Sequence, residues 1–355
     1  MVHNFGAGPA ILPSSVLEQA ARAVLDYNRS GLSILEIGHR TPPFQQIIDE
    51  ARALVKELMR LDEEQEVLFL HGGATTQFMQ VPMNLLDDKA LAAYADTGVW
   101  SQKAIKEARL FGRVEVVCSG KESGYTRIPS DFAVPNDAAY FHITTNNTIY
   151  GTQWKKIPHT SQVLVADMSS DIFSRQLEFN RFGLIYAGAQ KNMGPAGVTM
   201  VVVNRNITGK LRRALPAIMD YRNHIREGSM LNTPPVFAVY VCLLNLRWIR
   251  DQGGLAEMER RSRKRAETLY AEIDRNSCFR GTVAAEDRSD MNACFVAADA
   301  QQEEAFLQFA ASRGIVGIKG HRLSGGFRAS LYNALPQSSV DFLVETMKEF
   351  ESARL

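Results

Sequence analysis

Tyr186-Ala187-Gly188-Ala189-Gln190-Lys191-Asn192-Met193-Gly194-Pro195-Ala196-Gly197 lies between two apolar runs, 184–187 and 198–203, and its reading decides the fold. Each run has the length of a buried strand. Glycine and small residues crowd the lysine between them, so a flat ligand can come close to its amine. An amine taken out of water holds its proton less tightly. It then becomes a nucleophile suited to forming a Schiff base with an aldehyde. The alternative is a glycine-rich turn carrying an ordinary surface lysine.

Working outward, further apolar runs stand at 67–70, 90–95, 114–118, 140–143 and 163–166. With the two around the lysine they predict a mostly parallel seven-stranded sheet, buried on both faces and covered by helices. Segment 101–110 fits one of the covering helices. A helix over 16–28 is predicted from Val16, Ala20, Val24 and Tyr27 on one face, with Ser15 and Glu18 as a capping box. A second, over 44–60, follows the helical period through Phe44, Ile47, Ile48, Ala51, Leu54, Val55 and Leu58, with Pro42 and Pro43 before it. An apolar helix over 234–250 breaks at Gly253-Gly254, and a long charged helix over 255–275 follows. The domain change is placed there: a large domain over 16–254 and a small C-terminal α/β domain over 255–355, joined by the N-terminal segment 1–15. The basic run Arg260, Arg261, Arg263, Lys264 and Arg265 reads as a solvated helix face.

A chain of 355 residues exceeds one ordinary core, which agrees with that division. The formal net charge of +1 offers no global field for nucleic acid or a membrane surface. Cys118, Cys242, Cys278 and Cys294 form no C-x-x-C pair, which fits neither a zinc site nor a disulfide framework and suits a reducing compartment. The first ten residues lack a signal pattern, and the apolar run 236–244 is too short to span a bilayer. The expectation is a cytoplasmic protein without a metal, a nucleic-acid partner or a membrane partner.

Other stretches bear on chemistry. Run 163–166 ends in Asp167, where a carboxylate faces the crevice that binds ligands in such sheets. It could keep a pyridinium nitrogen protonated; an N-cap before Ser169-Ser170 is the alternative. Leu70-His71-Gly72-Gly73-Ala74-Thr75-Thr76-Gln77 takes a strand through two glycines into a helix start, offering N–H groups to a phosphate. It matches neither the Walker pattern nor a dinucleotide fingerprint. Trp100 follows another strand end, where an exposed indole could stack on an aromatic cofactor.

The whole combination resembles the phosphoserine aminotransferases, within the class V group of fold-type I pyridoxal-phosphate (PLP) enzymes. The resemblance runs from Asn4-Phe5-Gly6-Ala7-Gly8-Pro9-Ala10 through Gly38-His39-Arg40, Ala187-Gly188-Ala189-Gln190-Lys191-Asn192 and Asn232-Thr233-Pro234-Pro235. It ends at Lys319-Gly320-His321-Arg322 and Gly326-Phe327-Arg328-Ala329-Ser330. It implies one PLP per subunit, held by Lys191 as a Schiff base. Asp167 would pair with the pyridine nitrogen, Trp100 would stack on the ring, and Thr148 would bond its phenolic oxygen. Ala74, Thr75 and Gln190 would hold the cofactor phosphate, joined by Asn232 and Thr233 from a second subunit in a homodimer with shared sites. Arg328 would clamp the substrate α-carboxylate. His39, Arg40, His321 and Arg322 would take the distal phosphate or carboxylate.

The substrates implied are L-glutamate with 3-phosphohydroxypyruvate, giving O-phospho-L-serine and 2-oxoglutarate. Many members also act on the phosphorylated hydroxythreonine of pyridoxine synthesis. Some carry an arginine in the Gly72–Gln77 stretch that this chain lacks, which leaves the cofactor phosphate to backbone N–H groups and hydroxyls. The rival readings are an alanine–glyoxylate type of class V aminotransferase, a cysteine desulfurase, a non-catalytic PLP-fold regulator and a nicotinamide dehydrogenase. Cys294 argues against the desulfurase, since its surroundings read as a strand.

Overall fold

The computed structural model describes residues 2–353. In chain order, β1 (His3–Asn4), α1 (Ser14–Leu25) and α2 (Pro42–Met59) precede β2 (Gln65–Leu70), α3 (Gly73–Leu85), β3 (Leu91–Asp96), α4 (Val99–Ala108) and β4 (Arg113–Ser119). Next come β5 (Ala138–Thr144), β6 (Val163–Asp167), β7 (Phe182–Gly188), β8 (Thr199–Asn204), α5 (Tyr221–Arg226), α6 (Val236–Asp251) and α7 (Gly254–Arg275). The remainder is β9 (Phe279–Gly281), β10 (Asn292–Ala297), α8 (Ala300–Ser312), β11 (Ile315–Val316), β12 (Phe327–Ser330) and α9 (Gln337–Ser352).

All seven predicted strands meet in one sheet, in the order β2-β8-β7-β6-β5-β3-β4. Its neighbours pair in parallel except at β8, which is antiparallel to both β7 and β2. The connection from β7 to β8 explains that reversal. Only residues 189–198 lie between Gly188 and Thr199, which are register partners. A parallel return would need a crossover of about a dozen residues or more. The lysine loop is therefore the tip of a broad hairpin at the C-terminal ends of the parallel strands.

Six of the seven strands are buried almost throughout. The exception corrects the reading of 114–118: β4 is one of the sheet's two edges and stands half open along its length, while β2 at the other edge is buried. An edge strand has a neighbour on one side only, and charged side chains such as Glu115 suit it.

The helices match with shifted ends. α1 starts at Ser14, after Pro13, with no side-chain cap, so the Ser15–Glu18 capping box does not form. It stops at Leu25. Tyr27 lies in the following 3-10 turn and is buried edge-on against Tyr240. Pro42 and Pro43 make up the first turn of α2, where a missing N–H costs nothing. Val24 and Leu58 are half-buried, while the other predicted core positions of these two helices are buried. Each fully buried aliphatic or phenyl side chain there contributes about 1.5–3 kcal/mol.

One apolar core lies between the sheet and α1, α2 and α6, and it reaches Leu255 and Met258 on α7. A second packs α3 and α4 on the sheet's other face. A third gathers Ala266, Leu269 and Ile273 of α7 with β10, β12, α8, α9 and Phe5. α7 thus runs from one core into another. Its basic run is only partly solvated. Arg260 and Arg261 pair with Glu257, and Arg263 with Glu259. Arg265, by contrast, is buried and donates to the Leu335 carbonyl and the Ser262 hydroxyl. Among the described residues no helix is long and apolar enough to cross a membrane.

Candidate active site

The strands β2, β3, β5, β6 and β7 point the same way, so the segments that leave their C-terminal ends collect along one edge of the sheet. Those segments carry Gly72, Gly98 and Trp100, Thr148, Ser169 and Lys191, with Asp167 as the last residue of β6.

Lys191 is the centre of the arrangement. Its Nζ donates to Thr148 Oγ1 at 2.7 Å and lies 5.2 Å from the centre of the Trp100 ring. Burial pulls its pKa down to about 8, despite the opposing field of Asp167; Arg328 adds to the fall. A sizeable fraction of the amine is then neutral near physiological pH, as a Schiff-base nucleophile requires. Gly8 flanks it with a φ of +142, and a Cβ there would lie 3.4 Å from Lys191 Cγ. Ala10 N–H donates to the Gln190 carbonyl, which ties the N-terminal segment to the lysine loop.

Asp167 is buried and accepts from Ser169 N–H at 2.9 Å. Burial raises its pKa, while the Lys191 charge and the Ser169 bonds pull the other way. A buried carboxylate so placed would be stabilised by a protonated ring nitrogen set against it.

Thr148 belongs to a loop held closed by Asn147, whose N–H donates to the Thr152 carbonyl and whose carbonyl accepts from Gly151 N–H. The loop is also bound to the small lobe. Asn146 Nδ2 reaches Ser170 Oγ and Asn292 Oδ1, and Asn292 Nδ2 continues to Ser330 Oγ. Ser330 ends β12, the strand that carries Arg328. Arg328 Nη1 accordingly meets the Thr148 carbonyl at 3.2 Å, while its buried Nε has no hydrogen-bond partner among the described residues. Lysine and arginine thus converge on one residue, Thr148, from two lobes. Asn192 adds a second link, since its Oδ1 accepts from Asn333 N–H at 2.9 Å.

The start of α3 lies along the same edge of the sheet. Gly72 has a φ of +89, and a Cβ there would come within 1.9 Å of Thr76 Oγ1, so only glycine fits. The first N–H groups of a helix have no intrahelical acceptor and favour a phosphate. Thr76 spends its hydroxyl proton on the Gly72 carbonyl, and Thr75 is exposed. These features, with a lysine of lowered pKa and a half-buried indole whose buried Nε1 has no hydrogen-bond partner among the described residues, fit a flat phosphorylated aldehyde.

The structure brings Lys191, Thr148, Trp100 and Arg328 into contact, and His321 feels the charges of Arg328 and Arg322. Asn232 and Thr233 are exposed, with Asn232 Nδ2 3.3 Å from His71 Nδ1. His39 is half-buried and Arg40 exposed, on a turn closed by Thr41 N–H to the Gly38 carbonyl. Among the described residues no hydrogen bond or ion pair joins these four to Lys191 or Arg328. Cys294 is buried in β10 with its thiol pushed up to about 12, which makes it a poor nucleophile. Sequence reasoning assigned no role to Asn146, Asn292 or Lys103. Lys103 had one legible sign, its position one helical turn beyond Trp100.

Residues 2–343 match the family model described as Aminotransferase class-V. The chain is 56% identical over 351 residues to a phosphoserine aminotransferase of Bacteroides thetaiotaomicron, covering 98% of each. Its fold is similar to that of the phosphoserine aminotransferase from Bacillus circulans subsp. alkalophilus, with a TM-score of 0.98 and 42% identity over 100% of this chain and 99% of that one. It is also similar to the PLP-bound phosphoserine aminotransferase from Trichomonas vaginalis, with a TM-score of 0.93 and 34% identity over 98% and 100%.

Proposed function

The chain belongs to the aminotransferase class V family, and from that premise we propose that it moves the amino group of L-glutamate to 3-phosphohydroxypyruvate, giving O-phospho-L-serine and 2-oxoglutarate. The observation that carries this reading is the convergence of Lys191 Nζ and Arg328 Nη1 on Thr148. It sets a proton-accepting amine beside a carboxylate-binding fork.

The cofactor is pyridoxal phosphate, which when bound supplies a carbonyl that captures the amino group and a ring that takes up electrons from the substrate carbon. The chain's own groups supply the rest. Lys191 Nζ would hold the cofactor and, once released, would carry the proton taken from the substrate Cα. Asp167 keeps the ring nitrogen protonated. Thr148 Oγ1, which meets Lys191 in this structure, serves the phenolic oxygen. Trp100 covers a ring face and keeps water away. The α3 N-terminus, with Ala74, Thr75 and Gln190, holds the cofactor phosphate. Arg328 binds the α-carboxylate through its planar fork, and His321 and Arg322 take the distal anion.

Asn232, Thr233, His39 and Arg40 are assigned to the neighbouring site of a homodimer. The exposure of Arg40, Asn232 and Thr233, and the lack among the described residues of a hydrogen bond or ion pair from any of the four to this chain's own lysine, support that assignment. Residues 16–254 form the PLP-binding domain and 255–355 the small domain, bridged by 1–15. The absence of a membrane-crossing helix among the described residues is compatible with a cytoplasmic setting.

The test is a visible-absorption titration of the PLP-loaded protein with O-phospho-L-serine, L-alanine and L-serine, repeated with Lys191→Ala. Phosphoserine alone should discharge the lysine-bound cofactor band, and the variant should lack that band. Equal conversion by L-alanine would overturn the substrate assignment in favour of the alanine–glyoxylate type.

A further inference from the structure

Lys103 stands one turn along α4 from Trp100 and is exposed. Glu107 lies four residues on, a spacing at which lysine and glutamate meet on a helix. Among the described residues Lys103 nevertheless makes no ion pair. Its ammonium turns the other way and lies over the Trp100 indole, 4.5 Å from the ring centre. Lys191 Nζ lies 5.2 Å from that same centre. One indole thus joins the reactive amine to a second cation.

The surroundings of that cation are unusual. His321 has its pKa lowered first by burial and then by the charges of Arg328, Arg322 and Lys103. Three cations, one from the large lobe and two from β12 and the loop before it, therefore act on one imidazole. Gathering like charges costs stability, and the arrangement makes chemical sense when an anion comes to lie among them.

We infer that Lys103 is a specificity-determining residue, which binds the distal phosphate of the substrate alongside His321 and Arg322 and favours the phosphorylated amino acid over glutamate. The inference rests on the phosphoserine reading above. A phosphate monoester carries between about −1.5 and −2 charge at neutral pH, against −1 for a side-chain carboxylate. The interaction with a fixed cation scales with that charge. Lysine also suits the task, because its ammonium is a compact point charge on a flexible stem. It can follow a tetrahedral or a planar anion, where a guanidinium fork would fit one geometry better. The indole holds the stem only weakly, since an exposed cation–π contact is modest. Lys103 can leave it for the arriving anion.

The test compares PLP-loaded wild type, Lys103→Gln and Lys103→Arg in half-reactions with O-phospho-L-serine and with L-glutamate. Lys103→Gln should raise the phosphoserine KM by about three- to tenfold, as expected for an exposed charge-assisted contact. The glutamate KM should rise roughly half as much or less. kcat should change less than KM, and Lys103→Arg should recover most of the loss. Added salt should shrink the gap between wild type and Lys103→Gln, because exposed charges are screened. Equal KM shifts for both donors would overturn the role, as would a fall in kcat with KM unmoved; a lysine that merely props Trp100 behaves in those ways. A wild-type protein that converts L-alanine as readily as phosphoserine overturns the underlying reading instead, and that result is visible without any variant.

Discussion

As the proposed anchor of the cofactor, Lys191 would meet two opposed demands. Its amine must be reactive, and burial makes it so by weakening its hold on the proton, yet the same burial charges the folded state for carrying an ammonium. The sign follows from proton counting. The folded pKa is about 8 and the ordinary value 10.5, so between these limits the unfolded chain binds more protons than the folded one. Stability of the cofactor-free protein therefore rises with pH across that window, and the penalty is fully present below it. Lys191→Met removes the term. Urea unfolding at pH 7 and pH 10 should show the wild type gaining on the variant as pH rises. A gap independent of pH would show that the amine is not desolvated in the cofactor-free protein. Asp167 is buried at the end of β6, and its raised pKa is the counterpart of the same desolvation.

At the scale of elements, the site depends on how strands end. The turn from β2 into α3 is possible because Gly72 adopts a φ of +89 with Thr76 Oγ1 packed against it. Gly72→Ala puts a methyl group into that hydroxyl and forces a left-handed conformation on a residue with a Cβ, at a cost of about 1–3 kcal/mol. The expected result is a lower Tm together with faster PLP loss on dilution, since the N–H groups of the first turn are displaced with the turn. A lower Tm with unchanged PLP retention would mean that the α3 start does not hold the phosphate. The loop 146–153 is a second such element. Asn146 and Asn292 clamp it between the lobes, which lets Arg328, on a strand of the small lobe, share Thr148 with Lys191.

At the scale of the whole molecule, no hydrogen bond or ion pair among the described residues joins His39, Arg40, Asn232 or Thr233 to Lys191 or Arg328, and three of the four are exposed. If a second subunit supplies them, complementation follows. Lys191→Ala and Arg40→Ala proteins, each impaired alone, should regain phosphoserine activity when mixed under conditions that exchange subunits. A hybrid dimer then contains one site with both groups intact, and a mixture no more active than its parts would sink the shared-site assignment. The sequence by itself determined the strands, because seven apolar runs of strand length can satisfy their backbone only in a covered sheet. It also picked out Lys191 and Asp167, since each follows such a run. The edge exposure of β4 was not legible, because a strand's place in the sheet order is not written in its own residues. Nor was the absent cap of α1, where chain entry at Pro13 overrode a local signal. The clamp of Asn146, Asn292 and Ser330 spans residues far apart in the chain, and so does the placing of Lys103 where its charge acts on His321. Such contacts depend on how the two lobes pack, which no local pattern encodes, so only the tertiary structure decided them.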